Sequence, residues 1–284
     1  MKIGIIGGGL TGLVAAHALA GEHEIHLFEK MPYLGGCLSS YNLDDYLIER
    51  YYHHCFSTDT ALFSLLKKTG LSDKLEWMNG TTGYYAKNRI YPLNTLSEII
   101  SYPELTLIDK AKLGWLTIKA KKIDLEGLDS IPADQYIIEN LGTNLYSSFF
   151  EPLLKSKFGD RRDEVSAAWL LSRIAIRSNR GVSGERLGYL NGGFHQVIGA
   201  LESAIHTNGG TVEKQAPVTS LTRQGNTWIL NGKINGKKFD AVISTIPPHE
   251  LERIGGPSMP HIPYQGAACL TLALDRQVTE GIYW

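Results

Sequence analysis

The sequence predicts an α/β fold in which a Rossmann-like parallel sheet carries an inserted, mostly helical α+β domain. Three observations predict it. A short apolar run at the N-terminus is followed at once by glycines and then by apolar residues at helical spacing. A second apolar run ends in an acidic residue, Glu29. Helical patterns dominate the middle of the chain, and strand-like segments return after them. Strands divided by a helical block are typical of a discontinuous α/β domain with an insertion.

Composition and charge are those of an ordinary globular protein. Of the 284 residues, 43% are hydrophobic and 20% are charged, and no apolar run approaches the ~20 residues of a membrane-spanning helix. The formal net charge of −1 gives no global field that would attract nucleic acid, so any anion site must be local. The three cysteines, Cys37, Cys55 and Cys269, lack a Cys-x-x-Cys spacing, which argues against a disulfide framework and a metal site. We therefore expect a soluble protein of the reducing cytoplasm.

The first strand and the glycines after it form a phosphate-binding pattern. Residues 2–6 form the strand, and the sequence GGGLTG follows at residues 7–12. Gly7 permits the tight turn, Gly9 lets a pyrophosphate approach the backbone, and Gly12 lets the following helix pack closely on the strand. A lone glycine motif of this kind is weak evidence, but here the strand, the helix and the second strand all follow in order.

Two further features of this unit suit a dinucleotide. The helix begins near Leu10 and Thr11, and its unpaired amides and positive dipole end attract phosphate. Glu29 stands at the end of the second strand, where a carboxylate accepts hydrogen bonds from ribose hydroxyls. An acid at this place disfavours the 2′-phosphate of NADP.

A second glycine pair, Gly35-Gly36, follows Glu29 and Lys30. Together with the first motif it resembles the flavin amine oxidase superfamily, which includes protoporphyrinogen oxidases, phytoene desaturases and UDP-galactopyranose mutases. The resemblance implies an FAD-binding domain of the GR2 type, with the glycine pair and Lys30 in the cofactor site and with NAD and NADP bound poorly. Many members have Arg directly after the glycines, whereas this chain has Cys37. Cys37 stays in the predicted site, as a small packed residue rather than a redox thiol.

Two downstream blocks extend the resemblance, at residues 187–194 and 239–248. The resemblance implies that the backbone of Val218 meets the adenine and that the strand ending at Thr245 lies beside the nucleotide. The predicted FAD-binding domain is therefore discontinuous, over residues 1–80 and 185–254, and the substrate domain is inserted at 81–184. Within the insertion we expect a hairpin and a series of helices, over residues 84–91, 95–100, 107–122, 133–141 and 146–154.

Residues 255–284 are expected to add a strand, near 267–274, to the substrate domain. Superfamily members run on well beyond such a strand, to a segment that covers the flavin ring. The resemblance therefore implies that this chain is truncated, and we expect a more open flavin site and a tendency to self-associate.

Active-site residues are harder to assign than cofactor residues. The sequence His54-Cys55-Phe56 resembles the His-x-Phe of UDP-galactopyranose mutases, and His54 is the candidate to face the flavin. Arg173 and Arg177, with Arg180, share one face of a predicted helix and are candidates for binding an anionic substrate, although a solvated face is the commoner explanation. The lysine-rich helix at 107–122 has the composition of a membrane-surface helix, but an ordinary amphipathic helix is favoured.

The expected activity is an FAD-dependent oxidation that takes hydride from a C–N or C–C bond of a small-molecule substrate and passes electrons to oxygen or another acceptor. Two alternatives stay open. One is a sugar-nucleotide isomerase similar to UDP-galactopyranose mutase, in which reduced flavin is the nucleophile. The other is a degenerate flavoprotein fragment without activity.

Overall fold

The computed structural model describes residues 1–43, 46–81, 83–93, 95–177, 185–264 and 266–278. The chain divides into two compact units. Unit 1 comprises Met1–Trp77 and Gly188–Leu274, and unit 2 comprises the described residues of Met78–Leu187 and Asp275–Trp284.

Strands and helices alternate along unit 1, whereas helices dominate unit 2. The strands are β1 (Lys2–Ile6), β2 (Glu24–Phe28), β3 (Ser40–Leu43), β4 (Tyr46–Glu49), β5 (Leu75–Gly80), β6 (Gly83–Ala86), β7 (Arg89–Pro92), β8 (Glu185–Leu190), β9 (Thr211–Glu213), β10 (Val218–Gln224), β11 (Thr227–Gly232), β12 (Lys237–Phe239) and β13 (Ala241–Ser244). The helices are α1 (Leu10–Leu19), α2 (Thr60–Lys68), α3 (Leu96–Ser101), α4 (Leu107–Ala120), α5 (Ala133–Leu141), α6 (Thr143–Leu145), α7 (Glu151–Phe158), α8 (Ala167–Arg177), α9 (His195–Thr207) and α10 (Pro248–Arg253).

A four-stranded parallel sheet forms the centre of unit 1, in the order β13-β1-β2-β9. In β1, Ile3 pairs with Ile25 of β2 on one side and with Ala241 of β13 on the other. Because both faces of this sheet are covered, β1 is buried from Ile3 to Ile6 rather than on alternate residues. The carboxyl ends of β1, β2 and β13 therefore lie along one edge, where nucleotides bind in sheets of this kind.

The two faces of this sheet are covered by different elements. Leu13 of α1 and Val197 of α9 are fully buried in one cluster with Ile5 of β1. Phe28 belongs to a second cluster that also contains Phe239, at the end of the antiparallel β10-β11-β12 sheet. The parallel sheet thus lies between helices and a second sheet, which makes the strand ends rigid.

Unit 2 is held together by side chains from its helices. Leu116 of α4, Ile137 of α5, Leu145 of α6 and Leu171 of α8 are all fully buried in one cluster. The predicted hairpin is present as β6 and β7, and its tip residues Lys87 and Asn88 adopt φ values of 48° and 58°, as a type I′ turn requires.

Two expected elements differ from the structure. The helix expected over 146–154 starts as a π-helix, Tyr146–Phe150, and becomes α-helical only from Glu151. Residues 266–274, expected as a strand, form no regular structure, and Leu270 and Leu272 are exposed there. A strand needs a hydrogen-bonded neighbour, and none of the strands in the described part of the chain pairs with this segment.

Within the described ranges, no helix combines the length and the apolar character that crossing a bilayer requires.

Candidate nucleotide-binding site

The turn between β1 and α1 depends on glycine at two places. Gly7 has a φ of +109°, in the region that favours glycine. A Cβ on Gly12 would lie 1.9 Å from the carbonyl oxygen of Gly7, so no side chain fits there. The close approach lets α1 begin directly behind the end of β1.

The first turn of α1 offers unpaired amides. The first hydrogen bond of the helix runs from the Leu13 amide to the Gly9 carbonyl, at 3.0 Å. No side chain caps the helix at Gly9. The amides of Leu10, Thr11 and Gly12 precede that bond and have no partner within the helix ladder. Such a group of donors at the positive end of a ten-residue helix suits a phosphate.

The second glycine pair packs against the first turn, backbone to backbone. Gly35 and Gly36 have φ values of +104° and +56°. The Gly35 amide donates to the carbonyl of Gly8 at 2.8 Å, and Gly9 and Gly35 form a parallel bridge. A Cβ on Gly36 would come within 3.2 Å of the Gly9 Cα. The two motifs, separate in sequence, therefore form one surface without side chains, and the exposed Cys37 follows at its rim.

Glu29 is fixed between the two glycine turns. One oxygen of its carboxylate accepts from the Gly8 amide at 2.7 Å, and the other accepts from the Met31 amide at 2.8 Å. The residue is 9% exposed. Each carboxylate oxygen has two lone pairs, so Glu29 keeps acceptor capacity for a further donor such as a ribose hydroxyl.

Residues from the second half of the chain complete this edge. The amide of Ala216 donates to the carbonyl of Glu29 at 2.9 Å, which places the start of β10, and with it Val218, beside the acid. Thr245 follows β13, and its hydroxyl donates to the carbonyls of Ile6 and Gly7 at 3.1 and 3.3 Å. Thr245 thus packs on the first glycine turn from the β13 side of β1, whereas Glu29 approaches it from the β2 side.

Lys30 is exposed next to this edge. The pKa of Glu250, in α10, is lowered mainly by its hydrogen bond from Arg253 and to a smaller degree by the charge of Lys30. Lys30 therefore lies close to α10.

Comparison with known proteins identifies the family of the chain. The family model of flavin-containing amine oxidoreductases matches residues 10–282. The chain belongs to this family. Its cofactor is FAD, and the two glycine turns, the helix amides and Glu29 form a cradle that fits such a dinucleotide.

The chain matches only part of the length of several similar proteins. An uncharacterised protein of Methanocaldococcus jannaschii is 26% identical over 269 residues, which cover 89% of this chain and 60% of the relative. Coproporphyrinogen III oxidase of Staphylococcus aureus is 26% identical over 285 residues, which cover 87% of this chain and 60% of the relative. A putrescine oxidase variant with redesigned cofactor binding superposes with a TM-score of 0.70 at 19% identity, over 90% of this chain and 60% of the other. The chain thus spans about 60% of the length of these similar proteins.

His54, the candidate active-site histidine, lies next to a backbone clamp, the pair of hydrogen bonds that joins Cys55 to Gly188. Cys55 and Gly188 exchange two hydrogen bonds of 2.8 Å, and the ring of His54 meets that of Phe56 edge to face, at 5.1 Å between centroids. Burial raises the pKa of the Cys55 thiol to about 11, which keeps it protonated at neutral pH. Cys55 therefore packs as an inert thiol, and the clamp fixes the backbone on the carboxyl side of His54.

Sequence reasoning missed the roles of Glu49 and Arg50. Glu49 accepts hydrogen bonds from the Tyr189 hydroxyl at 2.7 Å and from the Phe194 amide at 3.0 Å. Burial, together with this carboxylate, raises the pKa of Tyr189. The guanidinium of Arg50 lies between two aromatic rings, 4.3 Å from Tyr33 and 4.1 Å from Tyr41. No spacing in the sequence signals these contacts, and the partners of Glu49 come from a distant segment of the chain.

The candidate substrate-binding arginines belong to α8 of unit 2. The guanidinium of Arg173 lies 5.6 Å from the centre of the Trp169 ring. Arg177 ends the helix, and its side chain lies outside the described part of the structure, as does the whole of Arg180. The structure therefore places Arg173 against an aromatic ring. That Arg173, Arg177 and Arg180 share one helix face stays a prediction.

Proposed function

We propose that this chain supplies the FAD-binding part, and some of the substrate-binding part, of an FAD-dependent oxidoreductase. The reaction removes hydride from a C–N or C–C bond of a small-molecule substrate, and the electrons pass to oxygen or another acceptor. The observation that carries the proposal is the contact between the two glycine turns beside Glu29. A surface built from bare backbone, with a carboxylate at its edge, matches a pyrophosphate joined to a ribose.

In this proposal the amides at the start of α1 and that of Gly36 hold the pyrophosphate, while Gly35, whose amide donates to the Gly8 carbonyl, shapes the backbone surface. Glu29 accepts from the adenosine ribose, and the backbone of Val218 meets the adenine. Support for this arrangement comes from the hydrogen bond that links the Ala216 amide to Glu29.

The side chains at the rim have smaller assigned roles. Thr245 holds the first glycine turn in place through its bonds to two carbonyls. Lys30 adds a positive charge near the phosphates, and Cys37 lines the site without a charge of its own.

Bound FAD supplies the redox chemistry, and the protein orients the substrate and excludes water. We assign His54 to the flavin side of the site and unit 2 to the substrate, with Arg173 and Arg177 as candidates for an anionic group. The free cysteines in the described structure favour the cytoplasm as the location.

A sugar-nucleotide isomerase is the second candidate. The contact between His54 and Phe56 favours it, because the two aromatic residues come from the His-x-Phe sequence that resembles UDP-galactopyranose mutases.

Flavin content and flavin reduction test the proposal in two steps. The purified chain should show the visible absorption bands of oxidised flavin and keep them through dialysis. Anaerobic mixing with coproporphyrinogen III, chosen from the Staphylococcus aureus relative, and with a panel of amines should bleach those bands when the substrate is correct. A chain that keeps no FAD at saturating concentrations would contradict the proposal. Bound flavin that turns over a sugar nucleotide without any electron acceptor would replace the oxidoreductase with the isomerase.

A further inference from the structure

Helix α4 of unit 2 has two apolar faces, of which only one is buried. Its buried side contributes Leu113, Leu116 and Ala120 to the unit 2 core. The opposite side is also apolar. We call it the α4 stripe, and it consists of Leu107 (81% exposed), Ile108 (69%), Ala111 (exposed), Trp115 (49%) and Ile118 (68%).

The stripe is continuous around the helix. At ~100° of rotation per residue, its members fall within an arc of about 100°, and the buried side is centred roughly opposite. A helix that packs on one side of a core normally turns polar residues to water on the other side. In α4 the most exposed positions are the apolar ones, so packing of the unit 2 core does not account for the apolar residues of the stripe.

Lysines border the stripe on both sides. The same helical geometry places Lys110 and Lys121 along one edge and Lys112 and Lys119 along the other, and Lys122 follows at the C-terminal end. The ammonium group of Lys119 lies 4.5 Å from the centre of the Trp115 ring. The single acidic residue of α4, Asp109, lies on the buried side and is 5% exposed. The surface around the stripe is therefore positively charged.

An open cavity of about 420 Å³ adjoins the stripe. Ile108, Ala111 and Trp115 line it from α4, together with Lys112, Asn140 and Leu141. The apolar surface therefore extends from α4 onto the end of α5 and has polar groups at its border.

We propose that the α4 stripe docks on an anionic lipid surface, with the helix axis parallel to the membrane. Isoleucine, leucine and tryptophan side chains would enter the boundary between headgroups and acyl chains, while Lys110 and Lys121 on one edge and Lys119 on the other reach the phosphates; Lys112 donates to the Leu141 carbonyl instead. The inner leaflet of a cell membrane carries the negative charge that such lysines need. This inference does not depend on the proposed catalytic function.

Charge complementarity favours lipid over a second copy of the chain. A two-fold contact through the stripe would bring the lysines of one copy against those of the other, and like charges repel. A lipid surface places negative groups at both edges instead.

Vesicle sedimentation tests this proposal with the whole chain. We expect binding to phosphatidylcholine vesicles that contain phosphatidylserine, much weaker binding to phosphatidylcholine alone, and loss of binding as salt is added. The pair Ile108→Glu and Ile118→Glu should weaken binding at least about ten-fold. Ile100→Glu is the matched control, because Ile100 is 52% exposed on α3 of the same unit. That control should bind like the unchanged chain.

A second pair of variants separates the charge from the apolar contact. Lys121→Glu with Lys122→Glu should reduce binding at least about twenty-fold, since each lysine near such a surface contributes about a five-fold gain in binding. Lys67→Glu with Lys68→Glu changes the net charge equally, but on α2 of unit 1, and should have little effect. Trp115→Ala is a milder stripe variant that keeps the helix and should also weaken binding.

Three results would overturn the proposal. The first is failure of the unchanged chain to bind vesicles with phosphatidylserine. The second is equal binding by the stripe variants and their controls. The third is a dimer that the stripe variants convert to monomer, because the stripe would then be an interface between copies.

Discussion

The tightest approaches in unit 1 are made by backbone atoms, whereas unit 2 is held by side chains. At Gly12 there is no room for a methyl group, because the Gly7 carbonyl oxygen is 1.9 Å from where the Cβ would be. In α4 of unit 2, by contrast, a Cβ on Gly114 would meet no atom within 4 Å. Unit 2 owes its order to buried residues such as Leu171 and Phe150. The difference indicates that the first glycine turn of unit 1 depends on a close backbone approach between β1 and α1, while unit 2 follows ordinary core packing.

The largest effect should come from adding one methyl group to each of two helical glycines. Gly12→Ala should lower the free energy of unfolding by roughly 3 kcal/mol or more and remove FAD binding, because the new Cβ collides with a backbone carbonyl. Gly114→Ala should raise the free energy of unfolding by about 0.5 to 1 kcal/mol, because alanine loses less conformational entropy in a helix. Urea unfolding of both variants measures the pair. If both substitutions changed the free energy of unfolding by the same amount, the two units would not differ in how closely their backbones pack.

Side-chain truncation should have the next largest effect, in unit 2. Leu171 is fully buried, and Leu171→Ala should cost roughly 2 to 5 kcal/mol of unfolding free energy through lost burial and the cavity left behind. Leu153→Ala, at a position 37% exposed in the same unit, is the control and should change the free energy much less. A Leu171 variant as stable as its control would show that this core is not what orders unit 2.

A smaller effect is expected at the start of α4. Asp109 accepts from the Thr106 amide and hydroxyl and from the Asn144 side chain, and the hydrogen bond from Thr106 is the main cause of its lowered pKa. A carboxyl with a lowered pKa stabilises the fold above its unfolded pKa of about 3.9 and loses that contribution as the pH falls through the folded pKa. Asp109→Asn should therefore cost about 1 kcal/mol near pH 7, and the cost should fall as the pH drops below the unfolded pKa of about 3.9. A difference that stays constant with pH would rule out this role for the charge.

The same contrast explains how far the sequence could predict the structure. The bounds of β1 follow from the apolar run before the glycine turn, and the end of β2 follows from the apolar run before Glu29; both agree with the structure. The π-helix at Tyr146–Phe150 follows no such rule, because its extra residue per turn is a product of tertiary packing. The segment 266–274 has the alternation of a strand, but alternation does not supply a pairing partner.

In the candidate site, too, some residues could be predicted from the sequence and some contacts could not. Gly7 and Gly12 are predicted by position, since steric limits allow few residue types in such a turn, and Glu29 is predicted because a carboxylate at the end of β2 can accept from a ribose. The contact of Glu49 with Tyr189 joins segments far apart in sequence, and residue type alone does not reveal which partners Glu49 and Arg50 have. The exposure of the α4 stripe could not be predicted either, because an apolar repeat shows that a face is apolar but not whether it is covered.

The most direct test of the central claim is a titration of FAD into the unchanged chain and into Glu29→Ala. Glu24→Ala is the matched control, because Glu24 is the same residue type at the other end of β2. Isothermal titration calorimetry gives the dissociation constants, and circular dichroism checks that each variant is folded. If Glu29 holds the ribose between the two glycine turns, its removal should weaken FAD binding about ten- to one-hundred-fold, the equivalent of roughly 1.5 to 3 kcal/mol for a hydrogen bond to a charged group, while Glu24→Ala binds normally. A folded Glu29→Ala chain that binds FAD as tightly as the unchanged chain would contradict the account.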